Sequence, residues 1–175
     1  MDKRIEIEKA DNTLVIIIKA FKDEAKQKML LMWIVLFSIC GLAIFSQFFW
    51  DYDNGTKVFF GVYVAFWFFF EFKVIYAYRW RSSGLEKIII EDGQLILIKE
   101  IGKRGVTQYF NLNEIATLRL FKDEETGFIK SMSTSYWNIN KYTIAFNYDD
   151  RPILFAIDLS KKESNNILKE INKFL

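Results

Sequence analysis

MLLMWIVLFSICGLAIFSQFFW, running from Met29 to Trp50, contains no charged residue. About 20 apolar residues at ~1.5 Å of helical rise each match a hydrocarbon layer roughly 30 Å thick. A helix in a soluble core would normally keep a polar stripe for water, and this run has none. A cleaved leader would start earlier, be shorter and end in small residues. The stretch therefore reads as a membrane-crossing helix over 29–50. VFFGVYVAFWFFFEFKVIYAY (Val58–Tyr78) reads as a second, interrupted only by Glu71 and Lys73. DYDNGTK (Asp51–Lys57) joins them, short and polar, with the turn pair Asn54-Gly55. So short a loop, 51–57, makes the two helices antiparallel neighbours.

The flanks orient this hairpin. Lys19, Lys22, Lys26 and Lys28 precede the first run, and Arg79 and Arg81 follow the second; the loop holds only Lys57, beside Asp51 and Asp53. Positive flanks stay in the cytoplasm. The expectation is a multi-pass protein of the cytoplasmic (inner) membrane with both termini cytoplasmic. Trp50 and Tyr52 would mark the outer interface, and Tyr76, Tyr78 and Trp80 the inner one.

Within the second run, Glu71 lies about 20 Å along the helix from Val58, deep enough for a carboxylate to need a partner, a proton or water. Lys73 is two residues on, faces elsewhere, and can snorkel to the headgroups. Gly61-x-x-x-Ala65 offers a small-residue face for close helix contact. Glu71, Lys73, Gly61 and Ala65 are the candidate intramembrane contacts.

After Ser83 the pattern becomes β. Leu85–Glu91 and Gln94–Ile101 flank Asp92-Gly93, a strong hairpin signal. A turn at Gly102–Gly105 leads to Val106–Phe110, and Ile115–Phe121 follows, with Ile115, Leu118 and Leu120 as inward residues. A polar loop spans Lys122–Ser135. Lys141–Tyr148 and Ile153–Asp158 form another hairpin around Asp149–Pro152. Ser160 with Glu163 makes a capping box for a last helix, whose apolar face carries Ile167, Leu168, Ile171, Phe174 and Leu175. At the other end, Arg4–Glu8 alternates, Asp11-Asn12 turns, and Leu14–Lys19 is a second strand. A lone hairpin is marginal in water, so residues 1–20 are expected to join the sheet of the C-terminal part, 84–175. The membrane hairpin would then be an insertion in one discontinuous soluble domain.

A membrane hairpin followed by GLEKIIIEDGQLILI (Gly84–Ile98), a turn, and FNLNEIATLRL (Phe110–Leu120) resembles the bacterial pleckstrin-homology-like membrane proteins. The resemblance covers roughly Leu85–Leu175 and is one of strand order. It implies a curled antiparallel sheet or barrel closed by a C-terminal amphipathic helix. Pleckstrin-like domains often bind phosphoinositides at the first strand turn, but here that turn is Glu91–Gln94, acidic and repulsive to an anionic headgroup. Lys103 and Arg104 in the next turn are the candidate lipid or partner contacts.

Composition narrows function. The sequence has no histidine and one cysteine, Cys40, which removes most zinc sites, every Ser-His or Cys-His pair and any internal disulfide. No catalytic, cofactor-binding or metal-ligating residue is expected. A net charge of +2 with no basic stripe argues against nucleic acid. The reading is a non-enzymatic, membrane-anchored interaction or accessory module of a bacterial inner-membrane complex, in contact with the bilayer and with a protein partner or a second copy. One alternative is a ligand-sensing β-barrel coupled to a membrane effector, disfavoured because a helix plugging the barrel leaves little space. Another is a small transport or channel subunit using Glu71, which would require oligomerisation.

Overall fold

The computed structural model describes residues 4–121 and 135–174. They form two compact units: one takes the residues up to Phe21 together with those from Trp80 onward, and the other is Lys22–Arg79.

The second unit is a helical hairpin. Helix α1 (Glu24–Ser46) starts at Asp23, whose side chain accepts from the Lys26 amide, and passes into a short 3-10 turn, Gln47–Phe49. Helix α2 runs from Asn54 to Ser83. Both helices are long and apolar enough to cross a bilayer. Most of their large side chains, from Met29 and Trp33 to Phe66 and Phe72, point outward rather than into the unit. A soluble protein does not leave so much contiguous apolar surface bare.

Helix α1 starts five residues before the expected span and stops at Ser46, α2 extends beyond its expected span at both ends, and the loop expected over 51–57 is shorter than that. Asn54 and Gly55 are not a turn; they are the first residues of α2. Asp53 accepts from the Thr56 amide at 3.0 Å and from its hydroxyl at 2.5 Å. This N-cap satisfies donors at the helix start and outweighs the turn preference of Asn-Gly.

Among the described residues the sheet unit holds eight strands. β1 (Ile5–Ala10), β2 (Thr13–Lys19), β3 (Gly84–Glu91), β4 (Gln94–Ile101) and β5 (Arg104–Asn111) form one antiparallel sheet in that order. β6 (Ala116–Leu120), β7 (Tyr142–Tyr148) and β8 (Arg151–Ile157) form a second. The strands before and after the helical hairpin are direct partners, with Leu14 opposite Ile90 and Lys19 opposite Leu85. Among the described residues no ladder joins the two sheets, so they face one another without closing into a barrel.

Three tight turns share one device. Asp92-Gly93, Gly102-Lys103 and Asp149-Asp150 all have positive φ at both central residues, the geometry that matches the right-handed twist of a hairpin. The two-residue turns leave Arg104 and Gly105 in β5 and Arg151 and Pro152 in β8, where sequence reading assigns turn. Pro152 is tolerated because β8 is an edge strand. β6 starts at Ala116 with a bulge before Arg119 and positive φ at Thr117. That bulge breaks strict alternation, leaving Ile115, Leu118 and Leu120 half-buried. Of the polar loop at Lys122–Ser135, residues 122–134 lie outside the described residues.

Alternation fills the core. Leu14, Ile16 and Ile18 of β2, Ile88 and Ile90 of β3, and Leu95 and Leu97 of β4 meet Ile144 and Phe146 of β7. Helix α3 (Lys161–Ile171) adds Ile167 and Ile171, its start fixed by the reciprocal Ser160–Glu163 box. Phe110 touches Phe146 edge-on at 5.1 Å and Tyr148 at 5.0 Å, locking the sheets face to face. Phe146 is wholly buried between Phe110 and Phe155. Phe146→Ala should cost about 3–5 kcal/mol, the usual price of an unfilled aromatic site, measured by denaturant unfolding followed in the near-ultraviolet.

Candidate functional site

The sheet unit concentrates its polar chemistry where β8 ends. Ala156 and Asp158 adopt positive φ without being glycine, a conformation held only where surroundings over-determine it. Four side chains, three from β3, β7 and α2 and one from just before β1, supply that constraint. Glu86 of β3 accepts from the Ile157 amide at 2.6 Å, and Thr143 of β7 donates to the Ala156 carbonyl at 2.7 Å. Arg4 donates to the carbonyls of Ile157 and Asp158 at 3.0 and 2.8 Å, and to that of Lys19 at 3.0 Å. Arg81, in the last turn of α2, pairs with the Asp158 carboxylate and donates to the carbonyls of Phe21, Tyr136 and Asn138, each at 3.2 Å.

Arg81 is almost fully buried, so its charge must be matched on every side. Its planar fork reaches several acceptors at once, which a lysine cannot do. Because Phe21 precedes α1 and Arg81 ends α2, one side chain holds together the residues on either side of the helical hairpin.

Beside this cluster a cavity of about 200 Å³ lies between the sheets. Glu86, Lys99, Gln108 and Tyr142 bring polar groups to it from β3, β4, β5 and β7. Glu86 and Lys99 are direct cross-strand partners on the inner face. Opposite charges so placed normally pair, yet among the described residues neither forms a salt bridge. Lys99 instead turns to the Tyr142 hydroxyl at 3.3 Å, with its ammonium over the rings of Trp80 at 4.9 Å and Tyr142 at 5.4 Å. Burial pushes the Glu86 carboxyl above the ordinary glutamate range, partly opposed by the Ile157 amide and the charge of Lys99. The Trp80 indole N–H is buried with no partner among the described residues.

The helical unit has its own polar seam. Ser38 donates to Glu71 at 2.6 Å, Trp67 to the Phe37 carbonyl at 3.0 Å, and Gln27 to the Tyr78 carbonyl at 3.1 Å. Val64, Trp67 and Glu71 recur at the 3.5-residue spacing of a coiled-coil seam. The second Glu71 oxygen is buried without a partner among the described residues. Gly41 faces Trp67 so closely that a Cβ there would fall inside the indole.

The sequence candidates scatter across these places. Glu71 is buried in the seam, whereas Lys73 is exposed with its ammonium 5.5 Å from the Phe69 ring centre. Gly61 is half-buried near Phe48 and Ala65 is exposed, so that pair does not make the close approach; Gly41 does. Lys103 and Arg104 sit exposed at the β4–β5 turn, away from both polar clusters. Sequence reading passed over Arg4, Arg81, Glu86, Lys99 and Asp158. Inward-facing charges at alternating strand positions, Glu86 among Ile88 and Ile90 and Lys99 after Leu95 and Leu97, were the available signal.

No protein-family model matches the chain, and no curated protein matches it.

Three measurements test this geometry. Asp158→Asn removes the charge facing Arg81 and should destabilise the sheet unit by about 3–5 kcal/mol, read from denaturant midpoints of the full chain. The folded state holds the Glu86 proton to higher pH than the unfolded chain, so stability should fall as pH rises from the ordinary glutamate range toward the raised value. Glu86→Gln keeps an oxygen for the Ile157 amide and should flatten that slope, as measured by unfolding across the acid range. Gly41→Leu should drive Trp67 out of the seam and weaken the helical unit, seen as faster proteolysis and altered tryptophan emission.

Proposed function

We propose that this is a two-span protein of the bacterial cytoplasmic membrane that works as a non-enzymatic anchor and interaction module. The observation that carries the reading is the pairing of β2 with β3. Two strands that hydrogen-bond to each other must lie on one side of a bilayer, so the apolar hairpin between them crosses twice and returns. The lysine- and arginine-rich flanks support the cytoplasm as that side.

The soluble unit supports a pleckstrin-homology-like reading through its order: the meander β3–β4–β5, the meander β6–β7–β8, then a closing helix. Such a platform serves recognition by its surface. Edge strand β5 exposes Val106 and Tyr109 and carries one charged residue, Arg104, so it is open to pairing with another chain. Arg81, in the last turn of α2, pairs with Asp158 inside this platform.

Single cysteines test the reading in a Cys40→Ser background. In intact cells a membrane-impermeant maleimide should label a cysteine at Gly55 and leave one at Asp149 unlabelled until the membrane is opened. Equal labelling of both positions would end the two-span assignment. Gentle extraction followed by mass measurement should give a homo-oligomer or a stoichiometric complex, and a lone monomer would end the interaction reading.

A further inference from the structure

The splayed pair Glu86 and Lys99 has a physical oddity at its centre. The two face each other across adjacent strands, on the buried side, where an ion pair would be strongest. They part instead, each taking a different protein partner, and the space they leave is the cavity. Its wall thus carries a carboxylate and an ammonium separated by a gap, with apolar flanks from Ile88, Leu97 and Phe155. No residue of α3 lines it, so the helix that closes the core leaves this space open. Val106 and Gln108, both exposed, place its mouth at the β5 edge.

The geometry points to a binding site for a small zwitterion of amino-acid size, its carboxylate toward Lys99, its ammonium toward Glu86 and an apolar side chain against Ile88, Leu97 and Phe155. This assignment stands apart from the anchor reading and does not depend on it. A cavity of about 200 Å³ holds roughly seven waters at ~30 Å³ each, and bonded atoms pack more closely. A ligand of about eight to ten heavy atoms fits, the size of leucine or methionine. Opposite charges on the ligand satisfy Glu86 and Lys99 at once, whereas a simple anion or cation would face a like charge from one of them. The raised Glu86 carboxyl, driven by burial, fits a group whose charged form is only partly matched by the protein around it. Convergent polar groups in a cavity that also has apolar walls, one of them a perturbed titratable group, are the usual marks of a ligand pocket.

The test uses the purified full-length protein in detergent or lipid discs, titrated by calorimetry and thermal unfolding with L-leucine and L-methionine. 4-Methylpentanoic acid, which lacks the ammonium, and 3-methylbutylamine, which lacks the carboxylate, are the comparison ligands. The amino acids should raise the unfolding temperature, and each analogue should bind at least tenfold more weakly. Lys99→Met and Glu86→Gln should each weaken leucine binding at least tenfold. Val106→Trp, at an exposed position, should block the mouth and abolish binding while leaving thermal stability unchanged, which separates a lost site from a lost fold. Binding of the acid or the amine as tight as that of leucine overturns the zwitterion assignment. Absence of binding by all four compounds to the folded wild-type protein overturns the site and leaves the cavity to water.

Discussion

Six backbone pairings between β2 and β3 join stretches of chain that the whole helical hairpin separates in sequence. Much of the architecture depends on that contact. Without it β1 and β2 would be an isolated two-stranded ribbon, which water does not support. Leu14, Ile16 and Ile18, which β2 contributes, would also be missing from the centre of the core. Arg4 and Arg81, from either side of the helical hairpin in sequence, reinforce the same junction by gathering around the end of β8. The order of causes runs from alternation, to a shared sheet edge, to a buried charge cluster that exists only once that sheet is complete.

The two units use polar groups differently. In the helical unit, each buried polar contact is a tie between two helices whose apolar faces give no preference for one partner over another. For two helices apolar on every side, such contacts and close packing at Gly41 decide which faces meet. In the sheet unit, apolar burial already fixes the fold, and the polar residues define one end of it. Glu86, Lys99, Arg81 and Asp158 cluster there, while the opposite end is sealed by Phe110, Phe146 and Tyr148.

Much of the fold was legible in the sequence because it rests on short-range signals. The Asp92-Gly93 hairpin, the Ser160–Glu163 box and the uncharged run from Met29 to Trp50 each declare themselves within a few residues. Errors came where local signals competed. Asn54-Gly55 is a turn pair by composition, but Asp53 immediately before it caps a helix more strongly than the pair bends the chain. The candidate sites were less legible. Glu71 stood out as a charge in an apolar run, yet its partner Ser38 is an ordinary residue thirty-three positions away. The Arg81–Asp158 pair joins the end of a helix to the end of a strand at a separation of seventy-seven, and no periodicity links them. A charge that faces inward on a strand is visible as a break in alternation; what it faces is a property of the assembled sheet.

The insertion of a hairpin between paired strands also sets an order of events during synthesis. β1 and β2 leave the ribosome first, but the edge that β2 must cover is not made until Gly84 and beyond have followed. At about 5–20 residues per second the intervening stretch takes roughly several seconds to appear. Through this delay β2 presents Leu14, Ile16 and Ile18 along an unfinished edge, the kind of surface that invites mispairing with other nascent chains. Completion of the sheet therefore waits on synthesis of both helices, and β3 then closes the edge that β2 leaves open.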